Sequence, residues 1–127
     1  MSKINYPIGD FLIRLKNAAI ARHKKVAVNP SNFIRTTALV LKKEGYLDDV
    51  LDEGGKIVVS LSYRKKEPVL LDVKLVSKPG LRVYISVDEL QKKRGPEVAI
   101  LSTPLGVMSI REALKKRVGG EIIAEVL

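Results

Sequence analysis

Residues Ile100–Glu121 read ILSTPLGVMSIREALKKRVGGE, and the rest of the chain can be read outward from them. The apolar run leading in, Val98–Leu101, has the length and continuity of a buried strand. It delivers two adjacent hydroxyls, Ser102 and Thr103. Pro104 and Gly106 then turn the backbone sharply. Ser109 is placed to cap a short helix, and Glu112 three residues on would complete a capping box. The exposed side of that helix is basic, with Arg111, Lys115, Lys116 and Arg117. Gly119 and Gly120 are expected to stop it, and Glu121 opens a last apolar run, Ile122–Leu127. Two hydroxyls, a glycine pair and one carboxylate beside cations match no common enzyme site. They suit a surface that reads the edge of a nucleotide.

Charge points the same way. In 127 residues there are 23 Lys and Arg against 14 Asp and Glu, a net charge of +9. A fold does not need that excess, whereas a polyanionic partner is attracted by it through long-range field and counterion release. No strongly amphipathic basic helix dominates, which argues against a membrane surface. No apolar run approaches the ~20 residues needed to span a bilayer. The first residues, Met1–Phe11, are mixed in character and read as containing no leader, so a cytoplasmic protein is expected. Cysteine is absent and His23 is the only histidine, which leaves no thiol chemistry, no thiolate metal site and no His-based triad. No metal or cofactor is expected.

The N-terminal part opens with Pro7 at a helix start. Ile8, Phe11, Leu12, Leu15 and Ala19 follow at helical spacing and form a buried stripe. Asp10, Arg14 and Asn17 lie on the other side. Asp10 and Arg14 can pair there as a surface ion pair; alternatively, Arg14 and Asn17 face phosphates. Arg22-His23-Lys24-Lys25 is a cationic turn, and Val26–Val28 a short strand. Ser31 caps a second helix whose buried face is Ile34, Ala38 and Leu41, and Gly45 ends it. Tyr46–Asp52 and Lys56–Tyr63 flank Glu53-Gly54-Gly55 as a hairpin. Arg64–Pro68 breaks the pattern, and a domain boundary is placed there. Residues 1–66 hold 13 Lys and Arg against 6 acids, residues 67–127 only 10 against 8, so most of the general attraction comes from the first part.

The second part begins with Leu71, Val73 and Leu75 alternating with Asp72 and Lys74. Ser77-Lys78-Pro79-Gly80 is a type II turn signal. Leu81, Val83 and Ile85 are expected on the inner face of the returning strand, with Arg82 and Tyr84 opposite. Asp88–Leu90 begins a helical turn, and Gln91–Pro96 is a basic loop.

In this order and spacing, Val76–Tyr84 (VSKPGLRVY), Ile100–Thr103 leading to Gly106-Val-Met108, and Gly119–Ile122 closely resemble the family of the eighth protein of the bacterial small ribosomal subunit. Pro7-Ile8, Asp10, Arg14–Ala18 and Val40–Gly45 agree with it. The resemblance covers essentially the whole chain. It implies an α/β (α+β) fold of two small domains. Residues 1–66 would carry two helices on a small mixed sheet; residues 67–127 would be mainly antiparallel strands with short helices. It implies a structural, non-enzymatic constituent of the small subunit that binds an irregular helix in the central domain of small-subunit ribosomal RNA and helps assemble the platform. The fifth and twelfth small-subunit proteins are the implied neighbours. In some bacteria the family also binds its own messenger RNA, so a translational regulator acting outside the ribosome is the alternative reading.

Carried over to this sequence, the C-terminal RNA contacts fall on Ser102, Thr103, Tyr84 and Glu121, with Gly119 and Gly120 allowing close approach. The N-terminal contacts fall on Arg14, Asn17, Lys24, Lys25 and Ser31. Two departures stand out. Pro104 and Leu105 replace a third hydroxyl and a polar or basic residue, and the chain ends Ala124–Leu127 where members commonly carry aromatics. A nucleotide-processing enzyme has no support, since the sequence contains no Walker loop.

Overall fold

The computed structural model describes residues 6–127; the first five, part of the segment read as lacking a leader, lie outside the described residues. Four helices are present: α1 (Pro7–Ile20), α2 (Asn32–Lys43), α3 (Val87–Lys92) and α4 (Ile110–Lys116). The strands, in chain order, are β1 (Lys25–Val28), β2 (Leu47–Glu53), β3 (Lys56–Leu61), β4 (Tyr63–Arg64), β5 (Glu67–Pro68), β6 (Val73–Leu75), β7 (Tyr84–Ile85), β8 (Val98–Thr103), β9 (Gly106–Ser109) and β10 (Gly120–Val126). The fold is α+β.

The N-terminal sheet has the order β1-β3-β2, and both pairings are antiparallel, so the expected mixed sheet does not form. The reason lies in the hairpin. A β1–α2–β2 crossover on its own would make β1 and β2 parallel neighbours. The tight Gly54-Gly55 turn folds β3 back between them, and each meets β3 antiparallel. Helices α1 and α2 supply Ile8, Phe11, Leu12, Leu15, Ile34, Ala38 and Leu41 to the core under this sheet. Ser31 caps α2 as read, its Oγ accepting from Ile34 N at 3.1 Å. Asp10 and Arg14 form no ion pair.

The second sheet runs β6-β10-β8-β9, with β7 also paired to β10. Strand β8 is buried on both faces, which is why it reads as a continuous apolar run. Ile100 enters the main core; Ala99 and Leu101 enter a second, smaller core with Leu90 of α3, Met108 of β9 and Ala113 of α4. A bulge in β10 between Ile122 and Ala124 lets that strand feed both cores, Ile122 the small one and Ile123 and Ala124 the main one. The main core also takes Leu70, Val73 and Val126, so it draws on residues from both sides of the expected 66/67 boundary.

Several local expectations change. Residues Gly106–Ser109 form a strand, because β8 and β9 make a hairpin around Pro104-Leu105. Ser109 Oγ does accept from Glu112 N, but the Glu112 carboxylate turns away to Lys43, so the capping box is only half made. The complete box is at Ser86 and Glu89 of α3. Helix α4 is stopped by Arg117 in the left-handed region at φ 53°, not by the glycines. Leu71 and Leu81 are exposed: pairing to β10 begins only at Val73 and Tyr84. The Lys78–Leu81 turn forms as read, with Gly80 at φ +83° and Leu81 N donating to Lys78 O at 2.9 Å.

Candidate nucleic-acid interface

In the second sheet, strand register sets three of the C-terminal candidates side by side. Tyr84 on β7 stands opposite Glu121 on β10, and Glu121 opposite Ser102 on β8. Directly opposed residues of an antiparallel ladder share a face, about 5 Å apart. Tyr84, Glu121 and Ser102 therefore form a transverse row across three strands. Tyr84 is 69% exposed, so its ring is available for stacking. Ser102 is half-buried, and its hydroxyl makes no hydrogen bond among the described residues, which leaves both a donor and acceptors for a ligand.

Thr103 is in a different position. Its hydroxyl donates to Gly106 O at 2.7 Å and accepts from Leu105 N at 3.1 Å, closing the β8–β9 turn. It keeps one acceptor site and no proton to give. The two glycines have a packing role inside the protein. A Cβ on Gly119 would stand 2.4 Å from Ile85 O, and one on Gly120 would stand 2.3 Å from Ser102 O. Both neighbours are backbone, so only glycine lets β7 and β8 close onto β10 and hold the row in register.

Arg82 joins this row, a residue whose part in it the sequence alone did not disclose. Its Nη1 donates to Glu121 Oε2 at 3.2 Å, and its guanidinium stands over the Tyr6 ring, 5.7 Å from the centroid. Tyr6 in turn donates to Ser77 O at 2.9 Å, anchoring the start of α1 to the second sheet. Burial raises the Tyr6 pKa, the Arg82 charge opposes the rise, and Glu121 adds to it. The available signal was the alternation that put Arg82 and Tyr84 on one face; Tyr6 lies 76 positions away and no local pattern reaches it.

The N-terminal candidates separate into a set that lines grooves and one that does not. Arg14, Asn17, His23 and Lys25 line a shallow groove of about 410 Å³ between α1 and β1. Arg14 also borders a second groove of about 330 Å³ with Asp10, Asn29 and Ser31. Lys24 is engaged elsewhere. Its ammonium donates to Asp48 Oδ2 at 2.7 Å and Leu61 O at 2.8 Å, and lies 5.6 Å from the Tyr63 ring centre. Hydrogen bonds from Lys24 and then Ser62 hold the Asp48 carboxyl below its usual pKa range. No hydrogen bond or ion pair among the described residues joins this N-terminal group to the Tyr84–Glu121–Ser102 row.

Fold and site define a small, basic α+β protein that presents two polar surfaces on rigid supports. A family model described as "Ribosomal protein S8" matches residues 6–127. The chain is 45% identical to the small ribosomal subunit protein uS8 of Nitratidesulfovibrio vulgaris (strain DP4), over 94% of this chain and 96% of that protein. It is 48% identical to the uS8 of Anaeromyxobacter sp. (strain K), over 94% and 96%, and 46% identical to that of Pelagibacter ubique (strain HTCC1062), over 94% and 95%. The chain therefore belongs to the ribosomal protein S8 family. It is a ribosomal protein and not an enzyme.

Proposed function

We propose that this chain is a structural constituent of the small ribosomal subunit in the cytoplasm and a primary binder of its RNA, seated on an irregular helix of the central domain and helping to assemble the platform. Residues 1–66 act as the basic domain that attracts the phosphates, through Arg14, Asn17 and Lys25. Residues 67–127 act as the domain that reads the distorted patch. The observation that carries this reading is the transverse row Tyr84–Glu121–Ser102, with Arg82 held against it.

A-form major grooves are too deep and narrow for side chains, so RNA is usually read at splayed bases, bulges and 2′-hydroxyls. Such targets need a stacking surface and hydrogen-bonding groups held at fixed spacing. Tyr84 offers the ring, Ser102 the donor and acceptor, and Glu121 holds the Arg82 guanidinium outward. Thr103 shapes the turn beside them. The fifth and twelfth small-subunit proteins remain its proposed neighbours, and its own message a proposed second target.

The test is binding to naked small-subunit RNA at physiological ionic strength, with footprinting. Protection of an irregular central-domain helix, and a clear preference for it over plain duplex, is expected. Equal affinity for both would refute the reading. Retention on small subunits through a high-salt wash separates a ribosomal constituent from a regulator acting elsewhere.

A further inference from the structure

A groove of about 270 Å³ lies between α2 and the β9–α4 corner, away from the residues assigned to RNA. Leu39, Val40, Val107 and Met108 give it aliphatic walls; Glu44 and Glu112 are its carboxylates. Glu112 is already paired with Lys43. Glu44 is not so served. Its side chain is only 8% exposed, no hydrogen bond among the described residues reaches its carboxylate, and the nearest cation, Arg111 Nη2, stands at 4.0 Å. Arg111 itself is 73% exposed and makes no hydrogen bond that would fix it there. A carboxylate so withdrawn from water, without a donor at hydrogen-bond distance, is costly unless a partner completes it.

We infer that this groove is a protein-docking site that receives an arginine or lysine side chain from another polypeptide. The aliphatic stem would lie along Leu39, Val107 and Met108, and the cationic head would reach Glu44. Leu39, 47% exposed, and Leu105, 64% exposed at the β8–β9 turn, extend the apolar surface for the flanking residues of that segment. RNA is the poorer occupant on chemistry. The walls present no aromatic ring for a base, Lys43 is neutralised by Glu112, and Glu44 repels phosphate. A long basic side chain matches both halves of the lining, since its stem is apolar and only its tip is charged.

The full-length, isotope-labelled chain is titrated with the blocked peptide acetyl-Leu-Arg-Leu-amide, and amide and methyl signals are followed by NMR. Shifts confined to Leu39, Glu44, Val107 and Met108 are expected. Replacing arginine by citrulline, or Glu44 by Gln, should weaken binding about tenfold, as for loss of one charge-assisted hydrogen bond. Arg111→Ala should leave the peptide affinity unchanged or raise it, because it removes an internal competitor. The proposal is overturned if citrulline binds as well as arginine, if millimolar peptide moves none of these signals, or if a short RNA hairpin moves them instead. Because the assay uses no ribosomal RNA as ligand for the row, its failure leaves the RNA-binding reading untouched.

Discussion

Arg82 Nη1 lies 3.2 Å from a carboxylate oxygen of Glu121, and the carboxylate side chain is 20% exposed while the guanidinium side chain is 47% exposed. The acid is the inner partner and the base the outer one. Glu121 therefore acts through Arg82 more than by meeting RNA itself, because the hydrogen-bonding fork that faces solvent is the arginine's. Glu121→Gln is expected to weaken binding to the irregular helix about tenfold, the loss of a charge-assisted hydrogen bond, with duplex binding unchanged or slightly stronger. Paired binding curves on the two RNAs measure the ratio. Arg82→Lys should lose the same preference, since a single ammonium cannot reproduce the fork.

Ser102 and Thr103 are neighbours with opposite expected phenotypes. Ser102→Ala removes a hydroxyl with no intramolecular partner, so stability should hold while specific RNA affinity falls. Thr103→Val removes the bonds to Gly106 O and Leu105 N. It should lower unfolding free energy by about 1–2 kcal/mol, as for a lost turn hydrogen bond. Urea denaturation alongside RNA titration distinguishes them, and a stable Thr103→Val variant would contradict the turn assignment.

Gly120→Ala places a methyl group where Ser102 O would lie 2.3 Å away. The obstruction is backbone, so β8 or β10 must shift, at about 1–3 kcal/mol by analogy with overpacked cores. The shift breaks the row, and RNA preference should fall with stability. Calorimetry and RNA binding on the same preparation test the coupling.

Lys24→Ala is expected to act mainly on the fold, Lys25→Ala mainly on RNA. Lys24 is the first cause of the lowered Asp48 pKa. A depressed carboxylate pKa contributes stability at pH values above the unfolded pKa, and that contribution fades as pH falls through the folded one. The stability difference between wild type and Lys24→Ala should thus be present at neutral pH and disappear in acid, below about pH 4. Lys25→Ala should weaken all RNAs alike and reduce the salt slope by about 1.

Much of this was legible from local pattern. The stripe of α1, the cap of α2, the Gly54-Gly55 hairpin and the Pro79-Gly80 turn all rest on spacing and turn chemistry, which act over a few residues. The β9 strand was not legible, because Gly106–Ser109 lacks a strand's length and takes its character from pairing with β8. Arg117 as the helix stop was missed for a related reason. Glycine is the usual left-handed residue, and here the glycines were needed for strand packing instead.

Composition, charge and ordered motifs were enough by themselves to determine a basic, helix-and-strand ribosomal protein with no catalytic chemistry, since those properties belong to the chain whatever its path through space. Only the tertiary structure decided which polar groups are available and which are engaged: Thr103 to its turn, Lys24 to Asp48, Glu121 to Arg82. Hydrogen bonds form between neighbours in space, and residues 82 and 121 become neighbours only when β7 pairs with β10.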